Sequence, residues 1–147
     1  MTISRKMVSQ NKGRVLALDI GIARIGAAIS DPNRIIAQGL GVWNAETWFD
    51  DLDDCIKKFA PSIIVAGLPV RTDGKKSAMA DKILEILENL KTKYPDINFA
   101  TQDERFTTVM AQKTLLEADT SRKKRKKTVD KIAAVIILES YLEKTNY

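Results

Sequence analysis

The sequence contains no histidine among its 147 residues. Catalysis that depends on an imidazole, including the Ser-His-Asp and Cys-His arrangements, is therefore excluded, and so is histidine ligation of a metal. Acid–base or metal chemistry must use carboxylates, lysines, hydroxyl groups or water instead. Cys55 is the only cysteine, which excludes an internal disulfide and a multi-cysteine zinc site. Because Cys55 lies in an amphipathic stretch, we expect its side chain to pack in the core.

Long hydrophobic runs are also absent. No apolar run approaches the ~20 residues that a membrane-spanning helix needs. Residues 1–12 are polar and basic, without the apolar centre of a signal peptide. We therefore predict a cytoplasmic protein that does not bind membranes. The length suits one domain, which we place at residues 14–147 after a flexible N-terminal extension at residues 1–13.

Positive charge exceeds negative charge and is unevenly spread. The net charge is +5 and the isoelectric point is ≈ 9.3. The basic block consists of six consecutive residues, namely Arg122, Lys123, Lys124, Arg125, Lys126 and Lys127. Such a block can be a solvated segment with no partner. Combined with the basic isoelectric point, it favours nucleic acid as the partner, because contacts to phosphates release counterions.

The first part of the chain predicts three strands. Apolar residues over 14–20 and 24–30 predict two adjacent strands joined by a tight turn, with Asp19 near the end of the first. Residues 35–43 predict a third strand, although its two glycines weaken it. Three consecutive strands with short connections form an antiparallel meander.

Helices and strands alternate in the rest of the chain. Apolar spacing predicts helices over residues 45–59, 77–93, from Thr107 or Thr108 to about 117, and 128–144, with the basic block in the loop before the last helix. Residues 62–69 and 97–101 predict two further strands. We therefore expect an α/β fold in which helices flank a five-stranded mixed sheet with the first strand in the centre.

Acidic residues stand at three places that this topology brings together. Asp19 ends the first strand, Asp103 and Glu104 follow the fifth, and Asp130 lies in the first turn of the last helix. Functional sites gather at the carboxyl ends of the parallel strands in such sheets. Asp130 also heads an apolar helical stripe that should face the sheet.

Each acidic residue has a simpler explanation when it is taken alone. Asp130 is favoured in a first helical turn by the helix dipole. The pair at 103 and 104 stands beside Arg105 and can form a surface ion pair. Asp19 is harder to explain, because aspartate is depleted in strands and costly to bury as an anion. The case for a site therefore depends on the convergence of all three positions.

Converging carboxylates without histidine or cysteine suit a hard divalent cation. Mg²⁺ and Mn²⁺ prefer oxygen ligands. Two such ions about 4 Å apart would stabilise the attacking and leaving oxygens of an in-line phosphoryl displacement. The residues by themselves therefore predict metal-assisted chemistry on a polyanion.

Four ordered motifs resemble the YqgF family, whose members are also called RuvX-like proteins. The motifs are Leu18-Asp19-Ile20-Gly21 with Arg24-Ile25-Gly26, Gly67-Leu68-Pro69 with Asp73-Gly74, Asp103-Glu104-Arg105-Phe106-Thr107-Thr108, and Val129-Asp130 leading into Ala133-Ala134-Val135-Ile136-Ile137-Leu138. The resemblance runs from Arg14 to about Tyr141. Proteins of this family are described as Holliday-junction resolvases or as nucleases that process the precursor of 16S ribosomal RNA at its 5′ end.

The resemblance implies a ribonuclease H-like fold and phosphodiester hydrolysis that depends on Mg²⁺ or Mn²⁺. By position, it implies that Asp19, Glu104 and Asp130 are the catalytic residues and the metal ligands. Strand alternation sends Asp103 to the opposite face, so that only one of the adjacent pair reaches the metal. The nucleic-acid backbone would be held by contacts from Arg71, Lys75, Arg105 and the basic block.

The sequence is also compatible with two other functions. The basic block would also serve an RNA-binding ribosome-assembly factor that does not cleave. The segment 19–21 resembles the first phosphate motif of sugar-kinase and actin-like phosphotransferases, but those proteins close two such domains around a nucleotide. We expect a ribosomal RNA precursor or branched DNA as partner, together with ribosomal particles, and a monomer or homodimer.

Overall fold

The structure, a computed structural model, describes residues 12–69, 77–104 and 122–145, the last range with side chains from residue 132 onward. Within these ranges, one mixed sheet is covered by helices on both faces. The strands are β1 (Val15–Ile20), β2 (Arg24–Ser30), β3 (Ala37–Asn44), β4 (Ile63–Leu68) and β5 (Asn98–Asp103), and the helices are α1 (Trp48–Phe59), α2 (Ala78–Lys93) and α3 (Arg122–Thr145).

The strand order is β3-β2-β1-β4-β5, which confirms that β1 is central. β1 pairs antiparallel with β2 and parallel with β4, so the two halves of the sheet meet at this strand. The pairing of β2 with β3 is antiparallel, and that of β4 with β5 is parallel. The predicted meander and mixed sheet are therefore confirmed.

Every residue of β1 is buried, because each face of the sheet carries a hydrophobic core. On one face, Leu16 and Leu18 pack with residues of α1 and α2. On the other face, Val15 and Ala17 pack with residues of α3. A strand that is covered on both faces is apolar throughout, which explains why β1 shows no hydrophobic alternation.

Helix α1 buries Trp48, Leu52 and Cys55 against the sheet. Burial raises the pKa of the Cys55 thiol to about 11, with only partial opposition from the positive charge of Lys58. The thiol is therefore protonated at neutral pH, and its predicted role in core packing is confirmed.

A β-bulge explains the two glycines of the edge strand β3. Ala27 of β2 pairs with Gly41 and Ala28 pairs with Gly39, so Leu40 is the extra residue. Gly41 has a φ of +153°, which lies in a region that favours glycine. The glycines therefore accompany a bulge within β3 and do not end the strand.

Several element boundaries differ from the predictions. The prediction that the basic block lies in a loop is wrong, because α3 begins at Arg122. Lysine and arginine have high intrinsic helix propensity, so the basic block extends the helix.

β5 continues to Asp103 because it pairs with β4 as far as Leu68. β3 begins at residue 37 and α1 at residue 48, both later than predicted. The predicted helix that begins at Thr107 or Thr108 lies outside the described residues.

The backbone just before β1 is held by Arg34. Its Nε and Nη2 donate to the carbonyl oxygens of Gly13 and Lys12, each at 2.8 Å. Gly13 has a φ of +87°, and a Cβ there would lie 2.6 Å from Oγ of Ser62. Residues 12 and 13 thus pack with the domain, while residues 1–11 lie outside the described part. No helix of the described ranges is both long and apolar enough to cross a membrane.

Candidate metal and nucleic-acid site

Asp19 lies near the carboxyl end of the central strand and is only 8% exposed. Successive strand residues alternate between faces, so its side chain projects from the face on which Val15 and Ala17 pack against α3. Its partner on β2 is Gly26. Because Gly26 has no side chain, β2 leaves space beside the Asp19 carboxylate.

Sheet register places Asp19 in a transverse row of four residues, which we call the Asp19 row. Leu18 of β1 pairs with Ala66 of β4, so the residues that follow, Asp19 and Gly67, stand side by side. Gly67 pairs in turn with Gln102 of β5. From β2 to β5, the Asp19 row is Gly26, Asp19, Gly67 and Gln102. The residues beside Asp19 on the two neighbouring strands are thus both glycines.

The carboxyl group of Glu104 lies over Gly67. A Cβ built on Gly67 would be 2.8 Å from Oε1 of Glu104 and 3.2 Å from its Cδ. It would also be 2.5 Å from Cδ1 of Ile137, a residue of α3. Glu104 is 6% exposed and directly follows β5, and its side chain extends over the neighbouring strand β4. The structure therefore brings the carboxylates of Asp19 and Glu104 to one end and one face of the sheet.

Asp103 belongs to the opposite face of the sheet. On β5, Phe99 packs against the core of α1 and α2, whereas Ala100 packs against the core of α3. Alternation from Phe99 directs Asp103 toward α1 and α2. This placement agrees with the expected separation of the two adjacent acidic residues.

Asp130 lies within α3, in the range whose side chains are not described. Ala133, Ala134 and Ile137 are at most 1% exposed and face the sheet. Asp130 precedes them by three, four and seven residues, so its backbone position belongs to the same helical stripe. This position agrees with the expected stripe, but the expected place in the first helical turn is wrong, because α3 begins at Arg122 and its first turn holds no acidic residue.

The side chains predicted to contact nucleic acid all lie outside the described part of the structure. Arg71, Lys75 and Arg105 fall in ranges that the structure does not describe. The basic block is described by its backbone only, and it forms the first turns of α3. These turns lead directly into the stripe that carries Asp130.

Gln102 is a candidate member of the site that sequence patterns did not predict. Its side chain lies on the face that α3 covers, because Ala100, two residues earlier in β5, packs against the core of α3. Its buried Oε1 accepts no hydrogen bond in the described part of the chain. A water molecule or an ion can satisfy a buried amide oxygen of this kind. Alternation backwards from Glu104 is the sequence signal that could have identified it.

The donor set fits a divalent cation that prefers oxygen ligands. Asp19 and Glu104 present buried carboxylates on one face, and Gln102 adds an amide oxygen to the Asp19 row. Mg²⁺ and Mn²⁺ take such oxygens together with water, and a cation would offset the mutual repulsion of the anions. The described side chains contain no group of three acidic, cysteine or histidine residues that could hold a metal. The third expected ligand, Asp130, is not among those side chains.

Comparison with known proteins points to one family. A family model described as "RuvX: Holliday junction resolvase" matches residues 13–144. A protein of Natranaerobius thermophilus named "Putative pre-16S rRNA nuclease" is 41% identical over 134 residues, which are 89% of this chain and 94% of that protein. A protein of the same name from Dictyoglomus turgidum is 45% identical over 133 residues, covering 88% of this chain and 94% of its own length.

Two solved structures share the fold. The structure titled "T. thermophilus RuvC in complex with Holliday junction substrate" aligns with a TM-score of 0.54 and 10% identity, covering 90% of this chain and 96% of RuvC. A second Thermus thermophilus RuvC structure aligns with a TM-score of 0.52 and 9% identity over the same shares. At this identity the likeness concerns the fold alone, and it confirms the predicted ribonuclease H-like architecture.

Proposed function

Because this chain belongs to the RuvX Holliday junction resolvase family, we propose that it is a nuclease that hydrolyses structured nucleic acid with a divalent cation. Its relatives at 41% and 45% identity are named as nucleases of the 16S ribosomal RNA precursor. We therefore assign this precursor as the substrate, with processing at its 5′ end during ribosome biogenesis. Ribosomal particles in the cytoplasm are the partners that this assignment implies.

The observation that carries the proposal is the convergence of Asp19 and Glu104. Both carboxylates are almost fully buried on the face that α3 covers, at the carboxyl end of the parallel strands. Neither position serves the hydrophobic core, and burial of two anions close together is costly without a cation. A metal site explains why the fold keeps both residues there.

In the proposed mechanism, Asp19, Glu104 and Asp130 would hold the divalent cations. We infer Mg²⁺ or Mn²⁺, as two ions, because an in-line displacement has an attacking and a leaving oxygen to stabilise. Asp19 is the anchor, since it pairs with Gly26 of β2 and directly follows the last residue of β1 that pairs with β4. The cover of α3 limits access of water to the carboxylates, which strengthens their electrostatic interactions.

The substrate backbone is held by basic residues around this site. Arg71, Lys75, Arg105 and the basic block supply the positive charge in the proposal. Contacts of this kind go to phosphate oxygens and orient the nucleic acid without reading its sequence. Folded RNA would therefore be selected by the position of its phosphates rather than by its bases.

The test is cleavage of a 16S precursor fragment by the purified chain with Mn²⁺ or Mg²⁺. Asp19→Asn keeps the shape of the side chain but removes its charge, so we expect the cleavage rate to fall about 100-fold or more. Asp103→Asn is the matched control, because the strand directs this residue to the opposite face. Unchanged cleavage by Asp19→Asn would refute the proposed role of this carboxylate.

Cleavage of four-way DNA junctions is a second candidate, which the description of the family model favours. Two symmetric cuts require two active sites and therefore a homodimer. A junction is included in the same panel, and the mass of the chain is measured by light scattering. A dimer that cuts the junction twice favours resolution, and a monomer that cuts only RNA favours precursor processing. Binding without metal-dependent products favours a non-cleaving RNA-binding assembly factor.

A further inference from the structure

Gly67 occupies the place between Asp19 and the base of Glu104 in the candidate site. It stands beside Asp19 in the Asp19 row, and Oε1 of Glu104 lies 2.8 Å from the point where its Cβ would be. This separation is shorter than ordinary contacts of carbon with oxygen. A side chain at position 67 and the present carboxylate of Glu104 therefore cannot occupy this space together.

The two neighbours of this space are both ends of flexible side chains, and both would have to move away from a Cβ at position 67. The Cδ1 atom of Ile137, 2.5 Å from the same point, is the flexible end of an aliphatic side chain. Glu104 directly follows β5, whose pairing with β4 continues to Asp103, so its backbone is held in place. Relief of a clash at Glu104 therefore comes from rotation of its side chain, which moves the carboxyl group out of its present position over Gly67.

We propose that Gly67 is a positioning residue, whose missing side chain lets the Glu104 carboxylate lie across β4 beside Asp19. The inference rests on the proposed metal-dependent function and adds a residue to which that function assigns no role. Productive metal sites hold their ligands within about 0.5 Å, so a small withdrawal of Glu104 is enough to weaken binding. Gly67 itself contacts neither the metal nor the substrate.

Close packing of α3 on β4 is the competing explanation for this glycine. If it holds, Gly67 only makes room for Ile137. Ile137→Val separates the two explanations, because it removes Cδ1 and leaves Glu104 untouched. The double variant Gly67→Ala/Ile137→Val thus relieves the clash with α3 but retains the clash with Glu104.

The experiment titrates Mn²⁺ into the full chain by calorimetry and measures the melting temperature of the same samples in a metal chelator. Gly67→Ala should weaken Mn²⁺ binding about 10- to 100-fold, as substitutions that misorient ligands typically do, and should lower the melting temperature. The double variant should recover the melting temperature of Ile137→Val while its Mn²⁺ affinity stays weak. Ile137→Val alone should bind Mn²⁺ like the wild type.

The outcomes separate this inference from the proposed function. Wild-type affinity for Mn²⁺ in the double variant would overturn the positioning role and leave Gly67 as a packing residue. The same conclusion follows if Gly67→Ala folds and binds Mn²⁺ normally. A wild-type chain that binds no Mn²⁺ would overturn the proposed metal-dependent function, and the positioning role with it.

Discussion

Asp31 shows how a carboxylate is used structurally in this molecule. It follows β2, at the opposite end of β1 from Asp19. Its Oδ1 accepts hydrogen bonds from the backbone N–H groups of Ile35 at 2.7 Å and Ile36 at 2.8 Å. Burial tends to raise the pKa of Asp31, but these bonds and one from Asn33 outweigh burial and lower it. The charged form of Asp31 therefore closes the turn before β3.

This lowered pKa predicts a pH-dependent stability. The native state favours the ionised form, so the stabilisation is fully present above the ordinary value of 3.8 and is lost as the pH falls through the lower native pKa. We expect Asp31→Asn to melt below the wild type near neutral pH, with a difference that shrinks in acid. Melting temperatures of both proteins over this range give the test, and a difference independent of pH would contradict it.

At the scale of the secondary-structure elements, Ser77 links α2 to the strand that carries Gly67. Its Oγ accepts a hydrogen bond from the backbone N–H of Ala80 at 3.0 Å, which confirms the predicted N-cap. The same hydroxyl donates to the carbonyl oxygen of Pro69, also at 3.0 Å. Pro69 directly follows β4, so one side chain ties the beginning of α2 to the end of β4 next to the candidate site.

Loss of this hydroxyl should destabilise the fold. Ser77→Ala removes the cap and the bond to Pro69, and we expect it to lower the free energy of unfolding by about 1–2 kcal/mol. Ser77→Thr keeps a hydroxyl with the same donor and acceptor and should stay closer to the wild type. Urea unfolding of the three proteins measures the difference. Equal stability of the alanine and wild-type proteins would show that the cap contributes nothing.

At the scale of the whole molecule, charge is divided between the two faces of the sheet. The basic block begins α3, which covers the face of Asp19 and Glu104. The other face carries α1, whose first turn is acidic. A polyanion is therefore attracted to the side of the molecule that holds the candidate metal site.

This division of charge predicts that the salt dependence of RNA affinity depends on which face of the molecule loses lysines. Changing Lys124, Lys126 and Lys127 to Gln should reduce the slope of log affinity against log salt by about 0.7–0.9 for each phosphate that the protein no longer neutralises. The matched control changes Lys82, Lys91 and Lys93 of α2 to Gln, which alters the net charge equally on the opposite face. Filter binding across salt concentrations distinguishes the two triple variants. Equal slopes would mean that only net charge matters.

Local patterns in the sequence specify the elements and their order. An uninterrupted apolar strand predicts burial on both faces, as for β1 and β4. The central place of β1 follows from the order of the elements, because the later parallel strands add beside it. The N-cap at Ser77 and the packing of Cys55 follow from similar local rules. The start of α3 could not be predicted in this way, because a basic run is compatible with both a solvated loop and a helix.

The construction of the candidate site depends on the folded sheet. Alternation alone separates Asp103 from Glu104, but the face that each occupies depends on how β5 is paired with β4. The register among β1, β4 and β5 decides that Gly67 stands next to Asp19. It also decides that the Glu104 side chain lies over Gly67. Strand register is set by packing among residues far apart in the chain, and no local pattern records it. The amino-acid sequence alone thus identifies which carboxylates are costly to bury, whereas long-range pairing of the strands selects which of them meet.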